Sequence, residues 1–147
     1  MKDKTPSPRL AISAEELNRR GASCLPGHLG IDFTTIERER VACRMPVRRE
    51  VMAPNGFLHA GALITVADSA CGYGCVANLP DGATGFTTIE LKSNFLGTAR
   101  EGDVVCLATP VHLGRTTQVW DATVKHEQTG KTLALFRCTQ MVLWPKG

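Results

Sequence analysis

The chain has 147 residues, of which 43% are hydrophobic and 21% charged, and its formal net charge is +3 at pH 7. A chain of this length predicts a single domain around one hydrophobic core. The mild positive charge argues against a nucleic-acid partner, which selects strongly basic surfaces, and it is compatible with a ligand that carries a few phosphates.

No apolar run approaches the ~18 residues that a bilayer-spanning helix needs, and the N-terminus MKDKTPSPRL lacks the hydrophobic segment of a secretory signal. We therefore expect no membrane partner and a cytoplasmic location. Residues 1–9 are polar with two prolines, so we expect a disordered tail over residues 1–12, and residues 13–147 are expected to form the domain.

The cysteines are spread through the predicted elements: Cys24, Cys43, Cys71, Cys75, Cys106 and Cys138. Since the chain is not a small cysteine-dense domain, we interpret them as reduced thiols packed like small hydrophobic residues, with disulfides as the alternative. A metal site would have to use Cys71 and Cys75 with His59 or Tyr73, without C-x-x-C spacing or a second cluster. We therefore predict no bound metal.

The segment SAEELNRRGA predicts a short helix, because Ser13 can cap its start, Glu16 completes a capping box and Gly21 is a stop signal. Alternating apolar and polar residues in LGIDFTTIERERVACRMPV then predict two strands or one long bent strand. From Ala60 to about Ala77 nearly every residue is apolar or small, which predicts a long helix buried on most of its circumference.

Beyond the turn-rich loop NLPDGATG, the pattern indicates strands only. The first, FTTIELKSNFL, is predicted to place one set of residues on one side: Thr87, Ile89, Leu91, Ser93 and Phe95. Three more follow, separated by short glycine turns at Gly114-Arg115 and Thr129-Gly130 that suit antiparallel hairpins. The element order predicts an α+β fold of one long helix against a largely antiparallel sheet of five or six strands, a pattern that several architectures share.

Asp68 is the lone charged residue of the predicted long helix, and a buried carboxylate is costly unless it is hydrogen bonded, paired or open to a cleft. One interpretation is structural: Asp68 bonds a backbone group or meets an arginine from a strand. Its neighbours one turn away on the helix cannot neutralise it: Ile64, Thr65, Cys71 and Gly72. The other interpretation is that Asp68 does chemistry.

The start of the same helix, NGFLHAG, can hold an oxyanion, because a helix N-terminus presents unpaired N–H groups and partial positive charge. His59 could donate a hydrogen bond there or serve only as a cap. Asp68 lies roughly 12 Å along the axis from that N-terminus. A catalytic role for both therefore requires two chains with antiparallel helices, that is, a homodimer with sites at its interface.

Three segments in order resemble the phenylacetate-degradation (PaaI) type of hotdog-fold acyl-CoA thioesterase: NGFLHAGALITVADSACGYGC, TTIELKSNFLGTAREGD and HLGRTTQVWDATV. In that family a His-Gly-Gly segment opens the central helix, and a catalytic acidic residue follows nine positions after the histidine, the spacing of His59 and Asp68 here. The resemblance covers roughly residues 30–143. It implies a hotdog fold over residues 13–147, in which a curved antiparallel sheet wraps one long central helix.

The resemblance also implies hydrolysis of an acyl-CoA thioester, with Asp68 as nucleophile or as general base for water. In the roles it assigns, the partner chain's N–H at Ala60, with that at Gly61, polarises the carbonyl, and Thr88 helps to position water or the carboxylate. The Gly114, Arg115 and Thr116 hairpin is implied to lie near the coenzyme A nucleotide. Coenzyme A enters only as part of the substrate, and no other cofactor is implied.

The chain departs from the family pattern at two positions. Relatives commonly have Asn or Gln six residues before the histidine, where this chain has Ala53, and the nearest amide is Asn55. Asn55 either takes over that role or the role is absent. The first glycine of His-Gly-Gly is Ala60, which keeps its backbone N–H.

Two other functions remain open at this stage. A hotdog hydratase or dehydratase would use His59 with an acid on an enoyl thioester, and a non-catalytic acyl-CoA binding module would use Asp68 only structurally. The acyl group is not readable, and aromatic and medium aliphatic groups both remain open, because the apolar candidates for a tunnel are more often plain core residues: Leu63, Ile64, Phe86, Phe95, Leu96 and Trp120. Both a dimer and a tetramer are compatible with the sequence.

Overall fold

A computed structural model describes residues 12–147, so the tail predicted over residues 1–12 lies almost wholly outside the described residues. The helices are α1 (Ala14–Gly21), α2 (Leu25–His28) and α3 (Ala60–Ala77), with a 3-10 turn at Arg49–Val51. The strands are β1 (Asp32–Glu37), β2 (Arg40–Pro46), β3 (Gly85–Phe95), β4 (Asp103–Leu113), β5 (Thr117–His126) and β6 (Thr132–Leu143).

The six strands form one antiparallel sheet in the order β1-β2-β4-β5-β6-β3. The sheet curves around α3, and the core lies between them, where Val66, Ala70, Trp120 and Phe136 are buried. A Cβ on Gly74 would lie 2.5 Å from the Trp120 ring, so the helix meets the sheet closely only because this residue is glycine. The predicted α+β hotdog architecture is confirmed.

The start of the domain follows the predicted capping logic. Ser13 accepts the Glu16 N–H through its side chain at 3.1 Å, and α1 ends at Gly21. The Glu16 carboxylate pairs with Arg19 and Arg20 on the next turn. The four-residue helix α2, which has Pro26 in its first turn, was not predicted. It matters for the site because Pro26 lies beside Asp68.

Helix α3 has the predicted bounds, and it corrects one argument from the sequence. By length and composition it is apolar enough to cross a membrane, with a mean hydropathy of 1.3 over 18 residues. The statement that no run approaches this length was therefore wrong. Of this window 56% is buried inside the fold, which accounts for its apolar composition as that of a core helix.

Strand β3 carries a bulge at Ile89, where its pairing with β6 shifts by one residue. Just before the bulge, Thr88 lies directly opposite Gln140, whose side chain is fully buried on the helix side of the sheet. Directly opposed residues of antiparallel strands point to the same face. Thr88 therefore points towards α3.

The bulge also changes which β3 residues share a face. The sequence predicted Thr87 and Ile89 on the same side as Leu91, Ser93 and Phe95, because regular alternation was assumed. That part of the prediction was wrong, because the extra residue at the bulge reverses the alternation. Leu91, Ser93 and Phe95 share the helix-facing side of β3 with residue 88.

All of the cysteines are free thiols: Cys24 is exposed, and the other five are buried. Cys43 and Cys106 lie opposite each other on β2 and β4. Cys71 and Cys75 lie in the core of the fold on α3. Among residues 12–147 no three His, Cys, Asp or Glu side chains are grouped as a metal site requires.

Candidate active site

His59 caps the N-terminus of α3 with its side chain. Its Nδ1 accepts the Gly61 N–H at 2.8 Å, which leaves the proton of a neutral imidazole on Nε2. The backbone is fixed as well, since the His59 N–H donates to Val51 O at 3.0 Å. A Cβ at position 61 would lie 2.9 Å from Nδ1 and would displace the imidazole ring. Glycine at this position leaves room for the ring. The exposed His59 thus presents an N–H donor at the helix start.

The backbone N–H groups of this first turn are not equivalent. The Gly61 N–H is held by the imidazole, and the Ala62 and Leu63 N–H groups both point at His59 O. Within the described part of the chain, the Ala60 N–H has no acceptor, and the residue is exposed. Of the two N–H groups that the sequence named, only the one at Ala60 is open to a ligand in this structure.

Asp68 is half-buried in the middle of α3, and its Oδ1 has no hydrogen-bond partner within residues 12–147. Burial raises the pKa of this carboxyl above its ordinary value of 3.8, and the Thr88 side chain, within hydrogen-bonding reach, opposes the rise. Asp68 forms no ion pair with the described residues. The structural interpretation, a cap or an arginine partner, therefore finds no support.

Asp68 and His59 line different cavities. Asp68 lies in a cavity of about 170 Å³ with Pro26, Tyr73 and Phe86. His59 lies in another of about 290 Å³, which Met52, Thr65 and other residues also line. The residues between them place the two side chains roughly 12 Å apart along α3 at ~1.5 Å per residue. One chain does not bring both groups to one reacting atom.

Thr88 belongs to a polar row that crosses three strands under α3. Gln140 on β6 lies opposite both Thr88 on β3 and Gln118 on β5. The Thr88 hydroxyl donates to Gln140 Oε1 at 2.7 Å. Gln118 donates to Asn78 O at the end of α3 and accepts from Trp120 Nε1. The sequence analysis missed both fully buried glutamines, although each occupies an inward position of a period-2 strand pattern.

The predicted nucleotide-binding turn links β4 and β5, and a tryptophan holds it in place. The Gly114 N–H donates to Thr117 O at 2.9 Å, and Thr116 O accepts the Val142 N–H. The Arg115 guanidinium lies 4.2 Å above the Trp144 ring, and Trp144 Nε1 donates to Arg115 O. Sequence reasoning did not single out Trp144, because no local pattern links it to a turn 29 residues away.

Asn55 lies in the exposed turn before His59, and its side chain has a local task. Its Oδ1 accepts the Phe57 N–H at 3.2 Å, while Ala53 N donates to Phe57 O at 2.7 Å. Ala53 lines a third cavity, of about 570 Å³, together with Arg100 and other residues. The Asn55 side-chain oxygen therefore closes the turn. The amide nitrogen is the part of this side chain that can contact a ligand.

Cys71 is the thiol nearest to Asp68 in sequence, and it is no candidate nucleophile. A hydrogen bond with Cys138 and burial raise the pKa of the Cys71 thiol far above its ordinary value. Burial likewise raises the pKa of Cys75 to about 12. Both thiols stay protonated at neutral pH, and a protonated thiol is a weak nucleophile.

Comparison with known proteins agrees with this geometry. Residues 55–133 match the family model described as the thioesterase superfamily. The 1,4-dihydroxy-2-naphthoyl-CoA hydrolase of Escherichia coli is 33% identical over 135 residues, which cover 90% of this chain and 96% of that protein. A hydrolase of the same name from Listeria monocytogenes is 30% identical over 111 residues, 76% of this chain and 89% of that protein.

A solved structure shows the same fold. The crystal structure of a mutant of thioesterase PA1618 from Pseudomonas aeruginosa superposes with a TM-score of 0.87 at 31% identity, covering 93% of this chain and 98% of that one. The match of more than half the chain to one family model, with the fold in common, decides the assignment. The chain belongs to the thioesterase superfamily, and it is a thioester hydrolase with a hotdog fold.

Proposed function

We propose that the protein hydrolyses an acyl-CoA thioester to the free acid and CoA, with Asp68 as the catalytic carboxylate. The observation that carries this proposal is a half-buried aspartate in a cavity, with one oxygen that no described residue satisfies. A carboxylate left in this way has a lone pair to offer to water or to a carbonyl carbon. The hydrolases of an aromatic acyl-CoA among the similar proteins support this substrate class.

The reaction balances without a metal or a second cofactor. In the general-base route Asp68 takes a proton from water as the water oxygen bonds to the carbonyl carbon, the C–S bond breaks, and the CoA thiolate leaves and takes up that proton. In the nucleophile route an Asp68 oxygen bonds to the carbonyl carbon and the C–S bond breaks to release the CoA thiolate. Water then hydrolyses the acyl–Asp68 anhydride to the free acid and supplies the proton that the thiolate takes up. The Ala60 N–H and the His59 Nε2–H are the donors available for the developing oxyanion.

The proposed site is shared between two chains, because Asp68 and the start of its own α3 lie too far apart. Strand β3 is an edge of the sheet, so its outer backbone groups are open to a second strand. On its helix-facing side the apolar residues Leu91 and Phe95 stay 41% and 44% exposed. Antiparallel pairing of two β3 edges would bury both and bring each Asp68 towards the partner's helix N-terminus.

The CoA nucleotide is proposed to bind at Gly114, Arg115 and Thr116. Arg115 lies three residues before Gln118, which is roughly 10 Å along the strand at ~3.3 Å per residue. Gln118 lies in the polar row that includes Thr88. The guanidinium lies in the turn between β4 and β5, stacked on Trp144, and it can pair with a phosphate.

The test of catalysis is thiol release from a panel of acyl-CoAs, with aromatic and medium-chain acyl groups, by wild type and Asp68→Asn. We expect the variant to lose activity about 100-fold or more while it still folds cooperatively and keeps its oligomeric state. Cys24, the exposed thiol, gives a constant background that a reaction without substrate subtracts. A variant that folds and hydrolyses at the wild-type rate would show that Asp68 is not catalytic.

Two further results of that assay would replace the proposal. Addition of water to an enoyl-CoA without thiol release would identify a hydratase. Tight binding of acyl-CoA with no turnover of any panel member would identify a binding module. Replacing Asn55 by Ala in the same assay tests whether its amide contributes, and a rate equal to wild type excludes it.

The shared site is tested by mixing two inactive variants, Asp68→Asn and His59→Ala. Random exchange of subunits makes half the dimers mixed, and each mixed dimer has one site with both residues intact. The mixture should therefore regain about a quarter of the wild-type activity. A mixture as inactive as its parents, after exchange has been verified, would show that each site is built within one chain.

A further inference from the structure

Three arginines line the cavity beside the turn that precedes His59. Arg48, Arg49 and Arg100 border this space of about 570 Å³, and among the residues that the structure describes no acidic one lines it. We call it the basic cavity. Like charges that surround one space raise its positive potential, so the basic cavity attracts an anion.

The positive charge of the basic cavity is largely unpaired. In the described part of the chain Arg49 and Arg100 form no ion pair, and both are exposed. Arg48 Nη1 lies 3.9 Å from a carboxylate oxygen of Glu50. Glu101 is adjacent to Arg100 in the sequence and forms no ion pair with it. The cavity therefore keeps charge that a ligand can neutralise.

Two of the guanidinium groups are held in place by neutral partners. The Arg100 guanidinium lies 4.2 Å above the Phe57 ring. Arg48 donates through Nη2 to His28 O, the last carbonyl of α2. Groups that are positioned in advance lose little freedom when a ligand binds. A planar guanidinium also presents a fork of N–H donors that matches the oxygens of a phosphate.

The basic cavity borders the proposed site without entering it. Met52 lines both this cavity and that of His59. The Leu58 N–H donates to Ala99 O at 3.1 Å, which places Arg100 beside the segment that leads into α3. In CoA the pantetheine arm separates the thioester from the phosphates. Cations that bind the phosphates therefore have to lie beside the reacting carbonyl and not at it.

We infer that the basic cavity binds a phosphate group of the CoA nucleotide. This inference rests on the proposed hydrolysis of acyl-CoA. CoA carries a diphosphate and a separate phosphate on its ribose, so one nucleotide has two anionic groups. The hairpin with Arg115 lies at the other end of α3, because Gln118, three residues further on, donates to Asn78 O where the helix ends.

A dimer brings these two groups of cations together. Where two α3 helices run antiparallel, the C-terminal end of one lies beside the N-terminal end of the other. The hairpin of one chain and the basic cavity of its partner then lie on the same side of the shared site. Each can hold one anionic group of the same nucleotide.

The experiment measures the binding of CoA by calorimetry, without turnover, to wild type, Arg49→Gln, Arg100→Gln and the double variant. Gln keeps a planar polar end that can pack on Phe57, and it removes the charge. We expect each single variant to bind CoA about threefold more weakly and the double variant about tenfold, with smaller differences at high salt. In the hydrolysis assay the KM for acyl-CoA should rise, while the KM for acyl-pantetheine, which lacks the phosphates, should not.

Arg40→Gln is the matched control, because it removes one exposed positive charge at a distance from the cavity. Arg40 begins β2 and lies roughly 20 Å from Pro46 at the other end of the strand, at ~3.3 Å per residue. This variant should bind CoA as wild type does. Dephospho-CoA, which lacks the ribose phosphate, identifies the group that is bound. Equal affinity of wild type and double variant for it assigns the ribose phosphate, and a persistent loss assigns the diphosphate.

The outcomes separate this inference from the proposed function. A double variant that binds CoA as tightly as wild type would overturn the inference, even if the enzyme hydrolyses acyl-CoA. An equal rise in KM for acyl-CoA and acyl-pantetheine would also overturn it, because the arginines would then act on the acyl group or on the shape of the site. A tenfold loss of CoA affinity in a protein that hydrolyses no acyl-CoA would support the phosphate site and reject the proposed function.

Discussion

The imidazole of His59 accepts the Gly61 N–H at 2.8 Å, and this one bond gives the residue two separable tasks. Through Nδ1 it caps α3, and through Nε2–H it faces the open side of the helix start. The two tasks use different atoms of one ring. A substitution can therefore remove one task and keep the other.

We predict that His59→Asn keeps the cap but withdraws the donor, because its shorter side chain places the amide N–H groups away from the position of the imidazole Nε2–H. The Asn oxygen can accept the Gly61 N–H, so thermal unfolding should stay near wild type, while hydrolysis falls about 100-fold. His59→Ala loses both and should also lose about 1 kcal/mol of unfolding free energy. Equal activity of His59→Asn and wild type would leave His59 with the cap alone.

The Asp68 carboxyl predicts a pH-dependent stability difference. Its folded pKa is raised by burial, so the folded state binds the proton more tightly than the unfolded state. The linkage sign follows: stability from this group falls as pH rises from 3.8 to the folded pKa, and the full penalty is present above it.

Asp68→Asn removes that penalty. We therefore expect the variant to unfold at a higher temperature than wild type at pH 7 to 8, with the difference shrinking as the pH is lowered. Calorimetry of both proteins over a pH series measures the difference, in which the titration of all other groups cancels. A variant less stable than wild type at neutral pH would mean that the carboxylate makes a stabilising contact.

The long elements of the fold could be predicted because their signals are local. The apolar run sets the bounds of α3, Ser13 marks the start of α1, and glycine turns mark the hairpins. The elements that were not predicted depend on contacts between segments that are distant in the sequence. The four residues of α2 are held partly by the Ile31 N–H to Pro26 O, a bond that composition does not show.

The same distinction holds within the site. The spacing of His59 and Asp68 is visible in the sequence, and so is the distance between them along a helix. The partner of Thr88 is not, because the bulge at Ile89 and the register with β6 decide it. A prediction from alternating residues assumes regular strands. Here the extra residue at the bulge, Ile89, is what places the Thr88 hydroxyl on the side of the site.

Two helix glycines should separate stability from activity. Gly74→Ala places a Cβ 2.5 Å from the fully buried Trp120 ring, so we expect a loss of about 1–3 kcal/mol of unfolding free energy despite the better helix propensity of Ala. Gly72→Ala places its Cβ 3.2 Å from Phe86, which is half-buried and can shift.

Since Phe86 and Gly72 line the cavity of Asp68, Gly72→Ala should narrow that cavity and lower kcat/KM for bulky acyl groups more than for short ones. Denaturant unfolding and the acyl-CoA panel measure both effects. If Gly74→Ala is as stable as wild type, the close approach of α3 to the Trp120 ring is not rigid. If Gly72→Ala changes kcat/KM equally for short and bulky acyl groups, the acyl group does not bind in this cavity.

Arg115 and Trp144 are predicted to act as a unit in binding the nucleotide end of the substrate. Trp144 stacks on the guanidinium and donates its indole N–H to Arg115 O, so it holds both the side chain and the backbone of Arg115. Arg115→Ala should raise KM for acyl-CoA about fivefold with kcat little changed, since an exposed charge pair with phosphate is worth about 1 kcal/mol. Trp144→Ala should raise KM in the same direction by a smaller factor.

The control for this prediction is a substrate without the nucleotide. An acyl-pantetheine thioester lacks the phosphates at that end, so both variants should hydrolyse it with the wild-type KM. Arg137→Ala serves as a second control, because Arg137 is exposed and paired with Asp121 on another part of the sheet. Equal KM increases for acyl-CoA and acyl-pantetheine would show that the hairpin shapes the site, and that the nucleotide binds at another group of cations.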